Sequence, residues 1–527
     1  MGFVLLFALL PTALLLLMGV VAVGGLPGLA RVPFNALNGY AIQNSFLQGG
    51  LSAFFALGAG YPLGVLIGRY AWRGRSFVRS VLIVPFLLPS LVVVLGVQDL
   101  FGAQGWVSGV LPGLRVLGGG LGGIVTVNVF YNAPIVALLT SIGVESSDPV
   151  LEDTVATLGG GPFARFRTVW GARSLMGAGA GALLTFLFSA LAFAAPLLMC
   201  GASCYTVEGW VWALDQQLLS PGMASALAFV LVLLMVPPTA IYLFLWGRLR
   251  PAGGGSSTRS YPIPWKDPRA WPVLLAGIAL VAAVVALLGA VMLQSFRATS
   301  PGAGIGSAWG ELFGPSIART LGISTVGALG NTLLYASVST ILAVLFGIMV
   351  GYGRRRSSGA SRSLQLVLFL PLLISPVVLS FALASFWRPI LGGESMVWLL
   401  IILSQTTLAL PFALQSLVVA LSRVPATFRE AAQTLGSRPW PAYLDTEVPQ
   451  VRGGLITAGL FAFALSLGEF TATYFLAIPR FTTLPVEIYR LQGVRLAAPA
   501  DALAGLLVIV SVLTFLGITF GGRRVEL

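Results

Sequence analysis

Histidine is absent from this chain of 527 residues, and its single lysine is Lys266. Without histidine, neither a His-based catalytic triad nor a histidine metal site can form. A nucleotide-binding loop of the form G-x-x-x-x-G-K-[ST] needs a lysine beside Ser or Thr. Lys266 instead sits in Pro264-Trp265-Lys266-Asp267-Pro268. The chain therefore carries no such loop, and any ATP that drives it must be hydrolysed on another polypeptide. Charged residues amount to only 9% of the chain, and there are two cysteines. Cys200 and Cys204 are four apart near the outer end of an apolar run. A disulfide across one helical turn is strained, so small apolar filling of a helix end is the expectation, with bridging in an oxidising compartment the alternative.

What is present is hydrophobic. Apolar residues make up 57% of the chain and the mean hydropathy is +0.94, which excludes an ordinary soluble globular protein. Twelve segments are long enough to cross hydrocarbon. They lie near 3–25, 44–68, 80–98, 121–143, 177–199, 223–246, 270–293, 326–351, 364–386, 396–420, 454–477 and 501–520. The first has no Lys or Arg before it and is about as long as a full span, so it reads as a retained span and not as a cleaved leader. The fold class is thus all-α integral membrane, with about twelve transmembrane helices.

The net charge of +13 is unevenly placed. With the N-terminus inside, 22 of the 30 basic residues fall in cytoplasmic loops or at their edges, among them Arg69, Arg75, Arg79, Arg165, Arg354 and Arg429. This bias is the positive-inside rule. It assigns the charge to membrane edges, not to a nucleic-acid partner, and puts both termini in the cytoplasm. The expected location is the inner (cytoplasmic) membrane.

One pattern occurs twice. Asp153-Thr154-Val155-Ala156-Thr157-Leu158-Gly159 is followed 277 residues later by Glu430-Ala431-Ala432-Gln433-Thr434-Leu435-Gly436. At the same offset Pro134 matches Pro411, Phe193 matches Phe470, and Val211-Trp212 matches Ile488-Tyr489. Each copy sits in a polar loop between apolar segments, so it is read by something outside the bilayer. The chain divides into a first six-span repeat at 1–247, a Gly/Ser/Pro-rich cytoplasmic linker at 248–269 and a second six-span repeat at 270–527. Both ends of each half are cytoplasmic, so the repeats are parallel and related by an axis along the membrane normal. Longer Gly/Pro-rich outer segments near 26–43, 99–120, 200–222, 294–325 and 478–500 have room for short helices that roof the outer face.

The second loop, with Glu430-Ala431-Ala432, Gly436 and then Val448-Pro449, resembles the cytoplasmic signature of ABC-importer permeases, E-A-A-x-x-x-G followed by a hydrophobic–Pro pair. The first loop departs from it. Asp153 replaces Glu, Thr154-Val155 replaces Ala-Ala, and Gly171-Ala172 stands where Val448-Pro449 stands; Gly159 is kept. The resemblance implies a type I importer permease with two halves fused in one chain. Each loop would form a short coupling helix that docks on an ATPase subunit. The implied partners are two ATPase subunits, as a homodimer that carries the ATP and Mg, and a secreted or periplasmic substrate-binding protein. The chain itself would hold no cofactor and would not be an enzyme. Physical chemistry agrees with docking: Ala431-Ala432 offers a smooth helix face, Glu430 or Asp153 suits a helix N-terminus, and Gly159 and Gly436 permit a left-handed turn. Phe163, Phe166, Trp170, Trp440 and Tyr443 follow and can pack the loop on a partner or on its own spans.

Fused permeases of this length are similar to those of thiamine and ferric-iron importers. Leu88-Pro89-Ser90-Leu91-Val92, Gly105-Trp106 and Val129-Phe130-Tyr131-Asn132-Ala133-Pro134 lean to thiamine. Leu467-Gly468-Glu469-Phe470 and Thr483-Leu484-Pro485 also suit iron, polyamine or sulfate importers. Within the spans, Glu469 is a charge in an expensive place and a candidate for the translocation path. Ala192 stands at the matching position, so the feature is asymmetric, and a packing role for Glu469 stays open. Asn128 and Gln405 occupy matched positions and, with Tyr131 and Asn132, are further path candidates. Interhelical hydrogen bonding is the alternative for these. A twelve-span secondary transporter would need more buried titratable groups than Glu469 supplies, and a membrane enzyme would need paired carboxylates or histidine.

Overall fold

In the bilayer each backbone N–H and C=O must be satisfied within the protein, which leaves helices as the economical solution for long apolar segments. The computed structural model describes residues 2–523 apart from 73, 83, 249–260, 263–270, 300–303, 357–373, 423 and 426. It is helical nearly throughout. The principal helices are α1 (Gly2–Ala22), α2 (Ala36–Arg69), α3 (Ser90–Phe101), α4 (Gly120–Glu145), α5 (Pro149–Thr157), α6 (Gly171–Ala190), α7 (Ala194–Met199), α8 (Val207–Gln216) and α9 (Pro221–Arg248) in the first half. In the second they are α10 (Trp271–Gln294), α11 (Thr325–Arg356), α12 (Pro376–Ile390), α13 (Val397–Ser422), α14 (Thr427–Thr434), α15 (Arg452–Leu467), α16 (Thr471–Leu476), α17 (Leu484–Gly493) and α18 (Ala497–Arg523). Among the described residues, strand pairing is confined to a two-residue parallel bridge, Tyr70–Ala71 with Tyr261–Pro262.

Among the described residues, eleven helical segments are long and apolar enough to cross a membrane. The ninth expected span, 364–386, lies outside the described residues up to 373; its remainder includes the shorter apolar helix α12. Lys266 and nearly all of the linker 248–269 also lie outside them. The third span differs from the expected 80–98. Pro89 interrupts it, since a residue before proline is pushed out of helical geometry: Leu88 is non-helical, and the crossing segment starts at Ser90. The fifth and eleventh spans, expected as continuous, are broken at 191–193 and at 468–470, positions 277 apart.

Helices within a half pack through glycine. On α2, Gly64 faces Thr140 and Gly68 faces Val144 of α4; on α11, Gly347 faces Leu417 and Gly351 faces Leu421 of α13. Each pair of partners is again 277 apart, so the two halves use one packing register. A Cβ at Gly64 would lie 2.5 Å from the carbonyl oxygen of Ala137. Small residues spaced by four let helix backbones approach where lipid supplies no hydrophobic drive for association. The halves interlock through their first helices. α1 packs on α12 of the second half as well as on α9, and α10 packs on α3 of the first half as well as on α18.

The outer segments fold into short helices, including Leu26–Arg31, Trp106–Val110, Pro315–Leu321, α8 and α17. Cys200 and Cys204 are joined in a disulfide with their Cα atoms 5.5 Å apart, which corrects the expectation of unbridged apolar filling. The chain leaves helix α7 before Cys200 and turns through Gly201 at φ +54°, so the pair does not sit on one regular helical turn.

Replacing Gly64 by Leu should force α2 from α4 and cost about 1–3 kcal/mol, as overpacked cores do. Gly330, with nothing within 4 Å of an added Cβ, is the control. Thermal unfolding of detergent-solubilised Gly64→Leu and Gly330→Leu measures the difference; equal midpoints would contradict the close approach.

Candidate functional site

Two regions carry the polar and aromatic residues that packing alone does not require. The first is a cavity of about 340 Å³ between the halves, at the breaks in the fifth and eleventh spans. Asn128, Tyr131 and Asn132 of α4 line it, as do Phe193 and Glu469 from the two breaks. Of the five path candidates, only Gln405 stands back from it. Gln405 is buried on α13 and donates through Nε2 to Thr473 Oγ1 at 3.4 Å. The polar groups on α4 are also structural. Asn128 Nδ2 donates to Ser52 Oγ of α2 at 3.2 Å, Asn132 Nδ2 to Asn128 O at 2.7 Å, and Tyr131 Oη to Leu88 O at 3.0 Å.

Glu469 has two tasks. It lines the cavity, and its carboxylate caps α16, accepting from the N–H of Ala472 at 2.7 Å, the N–H of Thr473 at 2.9 Å and Thr473 Oγ1 at 2.8 Å. A broken span exposes the first amides of its second segment at membrane depth, and a carboxylate there satisfies them. Both carboxylate oxygens accept from N–H donors, so a glutamine would turn an NH₂ group towards a donor. Glutamine at 469 would therefore also loosen the cap on α16.

An aromatic cluster closes one end of this region. Phe193 and Phe470, equivalent by the repeat, stack across the halves with centroids 6.1 Å apart. Tyr474 contacts Trp212 at 5.6 Å and Tyr489 at 4.9 Å; Trp212 and Tyr489 are also repeat-related, and lie on α8 and α17. Beside them, Ser375 Oγ at the start of α12 donates to Glu208 Oε2 of α8 at 2.7 Å, a bond from one half to the other. Sequence analysis did not single out Glu208, which lies in the expected outer segment 200–222; its signal was a carboxylate among the apolar residues Val207 and Gly209-Trp210-Val211.

The second region is the pair of repeated loops. α5 begins at the cap Asp148, whose Oδ1 accepts from Val150 N at 2.9 Å. It ends in a Schellman turn: Gly160 N donates to Val155 O at 2.8 Å, with Gly159 at φ +80°. α14 ends alike, Ser437 N donating to Ala432 O at 3.0 Å with Gly436 at φ +91°. Asp153, Thr154, Val155 and Glu430, Ala431, Ala432 thus lie on short helices. A π-helical turn follows each, Phe166–Trp170 and Tyr443–Glu447. The aromatic residues divide: Tyr443 is buried, Phe166 and Trp170 are half-buried, and Phe163 and Trp440 are exposed. Tyr443 is fully buried and donates to Ile348 O at 3.2 Å, and Trp440 packs edge-on against Tyr352 at 4.8 Å. At the tips, Leu158 is 81% exposed and Leu435 90%. Sequence reading quoted these leucines without singling them out, although Thr-Leu-Gly is the one stretch identical in both loops. Two exposed leucines at matched tips, near exposed Phe163 and Phe428, form an apolar surface of the kind that marks a protein contact.

Comparison with known proteins agrees with this architecture. The family model for the binding-protein-dependent transport system inner membrane component matches residues 341–525. The molybdenum transport system permease protein ModB of Mycobacterium tuberculosis is 37% identical over 197 residues, 35% of this chain and 74% of that protein. The chain belongs to the family of binding-protein-dependent transport system inner membrane components. The thiamine transport system permease protein ThiP of Salmonella typhimurium is 25% identical over 472 residues, 86% of this chain and 83% of that protein. ThiP of Escherichia coli is 24% identical over 473 residues. Alignment across most of the chain makes this a fused permease similar to the thiamine importer permease, an ABC importer subunit and not an enzyme, embedded in a membrane by multiple passes.

Burial pushes the Glu208 carboxyl from 4.5 up to about 8, with the Ser375 hydroxyl pulling it partly back. A carboxyl raised in the folded state takes up a proton on folding, so stability is greatest below 4.5 and falls as pH rises from 4.5 through 8. Glu208→Gln should flatten the decline in melting temperature of the solubilised permease between pH 5.5 and 8. An unchanged pH dependence would place the responsible group elsewhere.

Proposed function

We propose that this permease carries thiamine from a substrate-binding protein through the cavity at Glu469, driven by two ATPase subunits, as a homodimer, docked on α5 and α14. The single observation that carries the reading is the alignment with ThiP through both halves and the linker region, 86% of the chain. The chemistry of the cavity supports it. Among the described residues, one carboxylate, Glu469, and the aromatic rings of Phe193 and Tyr131 line it, with no arginine or lysine. A cation with aromatic rings gains from a carboxylate and from ring faces. Molybdate, the alternative that the ModB likeness favours, is an oxyanion and would meet the carboxylate without a compensating cation. Ferric ion is a cation too, but prefers a set of oxygen ligands that one carboxylate does not supply.

On this reading 1–247 and 270–527 are the two pseudo-equivalent halves and 248–269 the cytoplasmic linker. The positive-inside bias puts α5, α14 and both termini in the cytoplasm, in a bacterial inner membrane, and the aromatic cluster on the outer side of the cavity. Closure of the ATPase pair moves α5 and α14 together and rocks the halves, opening the cavity to one side and then to the other.

Uptake into proteoliposomes that hold the permease, its ATPase and its binding protein separates the substrates. Labelled thiamine should accumulate with ATP, and labelled molybdate should not. Glu469→Gln should lower thiamine uptake about tenfold, the scale of one lost charge-assisted contact. Molybdate uptake without thiamine uptake would overturn the assignment.

Gly436→Asp and Gly159→Asp each place a side chain in the left-handed region and a charge on the docking face, at a conformational cost of about 1–2 kcal/mol. ATPase association, read by co-purification, should suffer more at Gly436, because α14 retains Glu-Ala-Ala. Equal losses would reject the asymmetry.

A further inference from the structure

The coupling helices are nearly bare. Glu152 is the sole buried residue of α5, and α14 has none that is fully buried. Each helix nevertheless holds its own half through the residue just before the acidic position, Glu152 in the first copy and Arg429 in the second. Glu152 forms a two-pronged pair with Arg69 at the end of α2, at 2.5 and 3.3 Å. The Arg69 guanidinium lies over the ring of Trp170, 4.5 Å from its centroid. In the second half Arg429 Nη1 lies 3.4 Å from Oε1 of Glu447, a fully buried carboxylate. The repeat offset that relates Glu152 to Arg429 also relates Trp170 to Glu447, the last residue of each π-helical turn. Both halves therefore fasten this helix at the same position by an ion pair, to the end of α2 in the first half and to the π-helical turn in the second. The acid is on the coupling helix in the first half and the base is on it in the second. At Arg69's place in the packing register, one residue past Gly68, the second half has Tyr352, one residue past Gly351, and there Arg429 supplies the cation instead.

We propose that Glu152 and Arg429 are positioning residues that transmit movement of the coupling helices to the spans. The inference rests on the reading of α5 and α14 as the ATPase-docking helices. A short exposed helix pulled by a partner moves its half only if something stiffer than a loop joins them. A desolvated ion pair at the base of the helix is directional and loses much of its energy when drawn apart. The second pair, at 3.4 Å, is longer than the first, at 2.5 Å.

The test uses proteoliposomes with the permease, its ATPase and its binding protein, and reads labelled thiamine moved per ATP hydrolysed, with molybdate as probe if uptake selects it. Glu152→Gln and Arg429→Gln should each lower that ratio about tenfold, within the usual range of coupling between sites, while the ATPase still co-purifies. Arg429→Lys should keep most of the ratio. The exchange Arg429→Glu with Glu447→Arg should recover much of what Arg429→Glu alone loses, and it carries the test if a neutral variant fails to accumulate. A wild-type ratio in the neutral variants, or an exchange no better than its single, overturns the inference. An ATPase that does not co-purify with the wild-type permease overturns the docking reading itself.

Discussion

Every backbone amide and carbonyl at membrane depth has to find a partner inside the protein, and the rest of this structure follows from where that rule is bent. Among the described residues it is bent at 191–193 and at 468–470, where the fifth and eleventh spans stop and start again. Both breaks border the cavity. In the second, the freed amides go to the Glu469 carboxylate; a charge that would be costly in hydrocarbon is held by the helix end it completes. The break, the cap and the cavity are one arrangement.

Much of the fold was legible in the sequence because long apolar runs and a repeat offset are insensitive to detail. The repeat located the equivalent positions before any contact was known, and Phe193 and Phe470 do stack on each other. What was not legible depended on local conformation inside apolar stretches. Leu191-Ala192-Phe193 reads as ordinary helix, and nothing in its hydrophobicity marks a break. The bridge between Cys200 and Cys204 depended on a turn at Gly201, and spacing alone argued for a regular helix. At the site, Asn128, Tyr131, Asn132 and Glu469 fall around one cavity while Gln405 lies behind Thr473, a difference of helix rotation that pattern matching does not resolve. Glu208 was missed because its hydrogen bond comes from the other half of the chain.

The two repeated loop helices, α5 and α14, differ in complementary ways. α14 has the small, smooth Ala431-Ala432 face and the longer ion pair, Arg429 with Glu447. α5 has lost that face, with Thr154 and Val155 in its place, and is fastened by a shorter two-pronged pair beneath a tryptophan. Surface and anchorage are separable properties of the same small element, and each half has retained more of one than of the other.

The crossed placement of α1 and α10 has a consequence for how such a protein evolves. Each half lends its first helix to the other, so neither is a finished object. Were the halves separate chains, either could pair with a second copy of itself, and any residue useful on one side alone would also appear, doubled, in those mismatched assemblies. Joined in one polypeptide, each lent helix always meets the same recipient. Selection then acts on a single heterodimer, free to place Glu469 opposite Ala192 and to reverse a charge pair without producing an unmatched copy.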